Sequence, residues 1–276
     1  MQSYFFMKYL FIYFTLAVFC SCTIQRRIYS STQINNPSLQ QKNDHSFSLT
    51  YGDPSGFDLT GGYAITNRLA IIAGAYSYRN NDHQTETLLF SDITTDAKLL
   101  YRHKGFHGGL GFYFPLSKKE GSTYASFFTG YTKGNFNMDE HNVTTDNSNA
   151  TTRTNDYFYK SDIGRYFLQG GFNAYLDRFE ISILCRYNYV AYTDVTTNYS
   201  ATDQQNSNLP PVGYSKNSQF LDVAFDSKFF FTDDHRFGLQ LFGCGTTRLN
   251  RKEFNFYYYP FRFGLGFVVK NPFRKK

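Results

Sequence analysis

Phe179-Glu180-Ile181-Ser182-Ile183-Leu184-Cys185-Arg186-Tyr187-Asn188-Tyr189 alternates in steps of two. In an extended chain Phe179, Ile181, Ile183, Cys185, Tyr187 and Tyr189 share one face, while Glu180, Ser182, Arg186 and Asn188 share the other with Leu184. Side chains of a strand point alternately to its two faces, so this period predicts a β-strand with one apolar and one polar side. A second stretch repeats it, with Leu221, Val223, Phe225 and Phe229 set against Asp222, Ala224, Asp226 and Lys228. The polar faces carry Glu180, Arg186, Asp222, Asp226 and Lys228, whose opposite signs on neighbouring strands predict a paired network. A third stretch sets Phe263, Leu265, Phe267 and Val269 against Arg262, Gly264, Gly266 and Val268. Glycine alternating with aromatics suits a small barrel that curves sharply around a packed interior.

Outward from these three, ten segments read as strands, near 45–51, 57–65, 68–80, 105–115, 122–133, 163–176, 178–192, 218–231, 236–247 and 260–270. Weaker signals at 88–101 and 253–259 leave a range of eight to twelve. The connections alternate in length. Thr66-Asn67, 117–121, Leu176-Asp177 and 232–235 are short, whereas 81–104, 134–162 and 193–217 are long, 248–259 is intermediate, and Gly52 to Gly56 is a compact turn on the long side. Short turns at one end and long loops at the other are the pattern of an antiparallel up-and-down barrel of outer-membrane type. An even strand count then puts the first strand's start and the last strand's end together on the short-turn side.

Composition supports this class. The chain has 31 Phe and 24 Tyr but no Trp, and a mean hydropathy of −0.45. Many large apolar side chains without a long apolar run exclude a helical membrane bundle and suit alternating strands. The net charge of +6 is spread along the chain, and its compact basic clusters, Gln25-Arg26-Arg27 and Phe273 to Lys276, read as flanks facing acidic lipid headgroups; no nucleic-acid interface is expected. Strand parity points Cys185 to lipid and Cys244 to the lumen, so no disulfide is expected between them. Alternation alone also fits a soluble sandwich with one face in water.

The N-terminus adds a leader. Lys8 precedes an apolar run from Tyr9 to Phe19, about half the length needed to cross a bilayer, so residues 1–21 read as a cleaved signal peptide. Leu16-Ala17-Val18-Phe19-Cys20-Ser21-Cys22 resembles the lipobox of bacterial lipoproteins, although Phe19 and Cys20 replace the usual aliphatic and small residues. The resemblance implies acylation of Cys22, with Cys20 as second choice; the alternative is an ordinary signal peptide without lipid. Residues 23–44 are rich in Asn, Gln and Ser and lack periodicity, so 22–44 read as an acylated cysteine with a flexible tether, reaching roughly 75 Å when extended. The barrel domain is then 45–276. Together with the strand-turn-strand Gly61-Gly62-Tyr63-Ala64-Ile65-Thr66-Asn67-Arg68-Leu69-Ala70-Ile71, these features resemble uncharacterised bacterial lipoproteins with an outer-membrane β-barrel domain. That resemblance implies an outer-membrane location, with no catalytic residue or cofactor carried over. Both termini are then expected in the periplasm, with the Cys22 lipid in the inner leaflet.

No constellation singles out a reaction. Among the six histidines His103 and His107 are four apart, but on a strand rather than a helix, so no metal or cofactor site is expected. His83, Asp92, Asp96, His103 and Asp139 fall in outer loops where a hydrolase would place its groups, without a telling spacing. The loop His141 to Thr152 reads as mobile, and Phe254 to Tyr259 as an interface girdle or a carbohydrate platform. The network of Glu180, Arg186, Asp222, Asp226 and Lys228 reads as filling a narrow interior rather than lining a pore. The expected role is structural or surface-interacting, with outer-membrane lipids and envelope polysaccharide or other surface ligands as partners. The alternatives are a periplasmic lipid-anchored barrel or sandwich that binds a small ligand, and an outer-membrane hydrolase.

Overall fold

A computed structural model describes residues 24–87, 92–116, 123–213, 217–232, 235–250 and 257–271. In chain order the elements are β1 (Arg27–Tyr29), β2 (His45–Asp53), β3 (Gly56–Ala64), β4 (Leu69–Thr87), β5 (Ile93–Pro115), β6 (Thr123–Asp146), β7 (Thr151–Leu176), β8 (Phe179–Thr197), α1 (Ala201–Asn206), β9 (Asn217–Phe230), β10 (Phe237–Arg248), β11 (Tyr257–Tyr258) and β12 (Phe261–Lys270). β2 to β10 and β12 close into one antiparallel ring of ten strands, each paired with its neighbour in the chain. β12 seals the ring against β2, from Phe263 opposite Asp53 to Lys270 opposite Ser46. The ten-stranded up-and-down barrel expected from the alternation is the fold observed.

The outer face is apolar around the whole ring. Leu49, Leu59, Ile71, Leu110, Phe127, Leu168, Ile183, Phe225, Leu239 and Leu265 contribute one member from each ring strand, and exposures run from 38% at Tyr189 to 74% at Phe261. The inner face is the reverse. Asp58, Arg165, Glu180, Arg186, Asp222, Lys228 and Arg262 are buried there. Cys185 is exposed and Cys244 buried, both as free thiols.

Two expected loops turn out to be wall. β4 and β5 continue their pairing to Thr87 and Thr94, and β6 and β7 to Asp146 and Thr151, so most of 81–104 and 134–162 is strand and His141 to Asp146 is paired. The apolar side has changed faces. In the extension Ala97, Leu99, Tyr101, Phe136, Met138 and Tyr159 point inward and are buried, while Asn81, His83, Lys98 and His141 point outward. A reading that looks for apolar residues on the outer parity misses such strands, because the period persists but its polarity inverts. In the remaining expected loop, residues 193–217, β8 continues to Thr197 and α1 follows, capped by Ser200, whose hydroxyl accepts from Asp203 N.

The larger correction concerns residues 24–44, read as a free tether. Ser31, Thr32, Gln33, Ile34 and Asn35 are each 2% exposed or less, inside the barrel. The segment enters at the end of the barrel where β4–β5 and β6–β7 extend, runs down the lumen, and reaches the short-turn end. There Asn43 N donates to Ala64 O at 2.9 Å, and the chain reverses into β2. The start of the first ring strand and the end of the last do share the short-turn end, as expected, with His45 N donating to Asn271 Oδ1 at 2.9 Å, but the chain before β2 does not stay there: Ile24 stands at the long-loop mouth, whereas Lys270 N bonds Arg236 O at the short-turn end. A segment with no periodicity and many amides looks disordered in sequence, but the lumen supplies the partners it lacks. Cys20, Cys22, the signal peptide, residues 254–256 and the basic end 273–276 lie outside the described residues.

Candidate functional site

Ten strands about 4.8 Å apart, tilted by roughly 40°, give a backbone cylinder of about 10 Å radius. Inward side chains occupy most of that radius, leaving a shaft about one extended chain wide. Residues 28–39 fill it, and eleven residue steps reach roughly 36 Å, enough to traverse a hydrocarbon layer of about 30 Å. Gly62 marks how close the fit is: a Cβ there would lie 2.5 Å from Pro37 Cβ.

The segment is held by three apolar contacts with polar residues between them. Ile24, Ile28 and Tyr29 enter a cluster with Leu99, Met138 and Tyr192, and the Tyr29 ring stacks on Phe220 at 3.8 Å. Ile34 meets Leu184, Ala224 and Cys244, and Leu39 meets Ala64, Ala70, Tyr113 and Phe128. Burying each such side chain stabilises by about 1.5–3 kcal/mol.

Between these contacts the segment forms no strand with the wall, so its carbonyls need other donors. The cationic and amide side chains of the wall supply them. Arg262 Nη1 donates to Ser31 O at 3.0 Å, Arg186 Nη2 to Thr32 O at 2.7 Å, Gln169 Nε2 to Asn35 O at 2.7 Å and Lys228 Nζ to Asn36 O at 2.8 Å. Arg165 Nη2 reaches Thr32 Oγ1 at 2.9 Å. Side chains of the segment reciprocate, as Asn35 Nδ2 donates to Gly61 O and Ala73 O at 2.9 Å, and Asn36 Nδ2 to Asn173 Oδ1 at 2.7 Å.

Three of these cations are neutralised by carboxylates of the wall. Arg186 meets Asp222 at 2.9 Å, Lys228 meets Glu180 at 2.7 Å and Asp226 at 3.4 Å, and Arg262 meets Asp58 at 2.5 Å. All five residues of the expected network thus lie in the lumen in ion pairs. What the sequence reading left out was the segment they hold, together with Asp58, Arg165 and Arg262. The parity of Arg262 in the last strand was the available signal for that residue.

At the long-loop mouth Arg26 and Arg27 do not face lipid headgroups, as their clustering had implied. Arg26 binds Glu140 at 2.6 Å and Arg27 binds Asp82 at 2.7 Å. Burial opposes the Arg26 charge, but the Glu140 carboxylate outweighs it and holds the guanidinium above its ordinary range. Tyr199 also donates its hydroxyl to Glu140.

Of the five hydrolase candidates the structure brings His83 and Asp139 into one groove and leaves Asp92, Asp96 and His103 apart from it. His83 and Asp139 line an outward groove of about 740 Å³ with His141 and Asp156, where His141 Nδ1 lies 2.6 Å from Asp156 Oδ1, and Asp139 is paired with Arg102. Asp96 accepts from Thr85, and Asp92 is exposed at the β4–β5 tip. His103 is on the other face, buried against Phe136 at 4.6 Å. Among the described residues no group of three or more His, Cys, Asp or Glu could hold a metal ion.

The barrel is similar to solved bacterial outer-membrane proteins in outline. The outer membrane protease OmpT from Escherichia coli aligns at 7% identity and a TM-score of 0.49, covering 84% of this chain and 91% of that one. CarO from Acinetobacter baumannii aligns at 6% identity and a TM-score of 0.28, covering 85% and 99%. No family model and no curated protein matches the sequence.

Proposed function

We propose that this chain is an outer-membrane barrel closed by its own N-terminal segment, with the tall β4–β8 wall outside the cell, a structural or surface-interaction role and no catalytic one. The observation that carries the reading is the inversion of polarity along the wall. Within the ring the large apolar side chains point out and the ion pairs point in; in the extension the apolar residues point in and the polar ones out. Water outside the lower belt would face an uninterrupted apolar surface, which monomeric soluble proteins rarely present, whereas lipid there and water above satisfy both halves. The filled shaft argues against a standing channel. Outer-membrane lipids are the proposed partners of the belt, envelope polysaccharide or other surface ligands those of the extension, and Cys22 the proposed acylated residue.

The test is the behaviour of the chain beginning at Thr23. It should need detergent to stay monodisperse and should migrate differently on a gel with and without heating. A monodisperse species in plain buffer would overturn the transmembrane reading in favour of a soluble barrel.

A further inference from the structure

We infer that the mature N-terminus reaches the cell surface through the lumen of its own barrel, on the opposite side of the membrane from the C-terminus. The inference rests on the orientation proposed above, with the tall wall outside. Three contacts fix where the segment begins: Gln25 N donates to Gln84 Oε1 at 2.7 Å, Arg26 binds Glu140 and Arg27 binds Asp82. All three wall residues stand in the strand extensions, beyond the apolar belt. The chain then crosses the lumen once, and Asn43 N bonds Ala64 O at the short-turn end.

Cys22 precedes Ile24 by two residues, at most about 7 Å of chain. That length cannot lead back through a lumen as deep as a bilayer's hydrocarbon core of about 30 Å. On this threading, a lipid carried on the proposed Cys22 would be presented outside rather than in the periplasmic leaflet. The same route constrains assembly. The segment leads directly into β2, the strand that β12 seals, and its path is lined by buried ion pairs that reach its carbonyls. Laying the segment against the open sheet before β12 closes brings these donors to it without drawing a bare carbonyl past every charge.

The experiment compares three epitope tags in the full-length protein: one before Ile24, one after Ser148 in the β6–β7 turn, one after Lys276. With intact cells the first two should bind antibody as strongly as after permeabilisation, and the third only after permeabilisation. If the Ser148 tag is surface-accessible but the Ile24 tag is seen only after permeabilisation, the threading is overturned while the orientation stands. If the Lys276 tag alone is accessible on intact cells, the orientation fails and the surface assignment with it. Because a tag could itself block threading, Arg27→Cys with Tyr257→Cys provides an untagged check. These residues are register partners in the parallel pair of β1 and β11. A disulfide should form between them under oxidation; its absence while both cysteines stay alkylatable would overturn the path.

Discussion

Replacing Asp58 by Asn tests whether the buried ion pairs hold the seam and the threaded segment together. Asp58 on β3 and Arg262 on β12 lie on either side of β2, so their 2.5 Å contact bridges the closing strand. The side chains of both are 1% exposed. Asp58 also accepts the Tyr78 hydroxyl, and the guanidinium sits 3.8 Å above the Tyr78 ring while donating to Ser31 O. Asn keeps the shape but removes the charge, leaving a cation among low-dielectric neighbours. Breaking a buried pair from one side costs about 3–5 kcal/mol. The Tyr78 face, worth about 2 kcal/mol when desolvated, and the Ser31 carbonyl remain, so the lower end of that range applies. Such a loss is a large share of a typical domain stability of about 5–15 kcal/mol. It should appear as a lower urea midpoint for folding into lipid vesicles, followed by far-ultraviolet circular dichroism because the chain has no Trp. Asp58→Asn combined with Arg262→Met should recover much of the loss by removing the stranded charge. The reasoning fails if Asp58→Asn stays within about 1 kcal/mol of the parent, or if the double variant is weaker than the single.

Gly62→Val should push Pro37 out of its contact, and the first sign should be faster proteolysis of residues 24–44 in detergent while the barrel core stays resistant. Deleting 24–42 should leave a water-filled shaft, read as stepwise conductance in planar bilayers where the full chain shows none. Ile183→Arg, placed where Ile183 is 63% exposed on the outer face, should cost about 2–4 kcal/mol if that position lies near the bilayer midplane; in water the same change should be nearly neutral. Glu140→Gln should loosen Arg26 and hasten hydrogen exchange in the amides around Gln25 without changing those of β9 or β10.

The ring was legible because its physics is periodic. Phe179 to Tyr189 state the strand, both faces and the sign of the polar partners, and the register places Arg186 opposite Asp222 and Glu180 opposite Lys228. The extensions were obscured because Leu99 and Tyr101 keep the period but reverse its sense, so the stretch from Asn81 to Lys104 looks polar on the parity that is apolar lower down. The segment 24–44 was illegible for a different reason. Its partners are far away in sequence, as with Asn36 and Ser182 or Ser31 and Arg262, and no local pattern encodes a backbone satisfied by side chains of the wall.

That mode of satisfaction bears on how the lumen could change. A strand in a sheet is bound by main-chain pairs that any sequence can form, but residues 31–36 depend on named side chains: Arg262, Arg186, Arg165, Gln169 and Lys228. Each of the three cations that donate to its carbonyls, Arg262, Arg186 and Lys228, also has a carboxylate partner, so each would keep a counterion if the segment left. What departure would forfeit is the burial of Ile28, Ile34 and Leu39 and the hydrogen bonds to their neighbours. Water entering the shaft could replace the hydrogen bonds but not the burial. The three apolar contacts, rather than the more numerous polar ones, therefore set most of the free energy that keeps the segment in place. Ile34→Ser should accordingly destabilise the closed state more than Gln33→Ala: Gln33 contributes one neutral hydrogen bond with Thr50, at 2.7 Å, worth about 1 kcal/mol net. The comparison is made by single-channel recording of the two variants. If Gln33→Ala opens the shaft more often than Ile34→Ser, the segment is held by its polar contacts and this ordering is wrong.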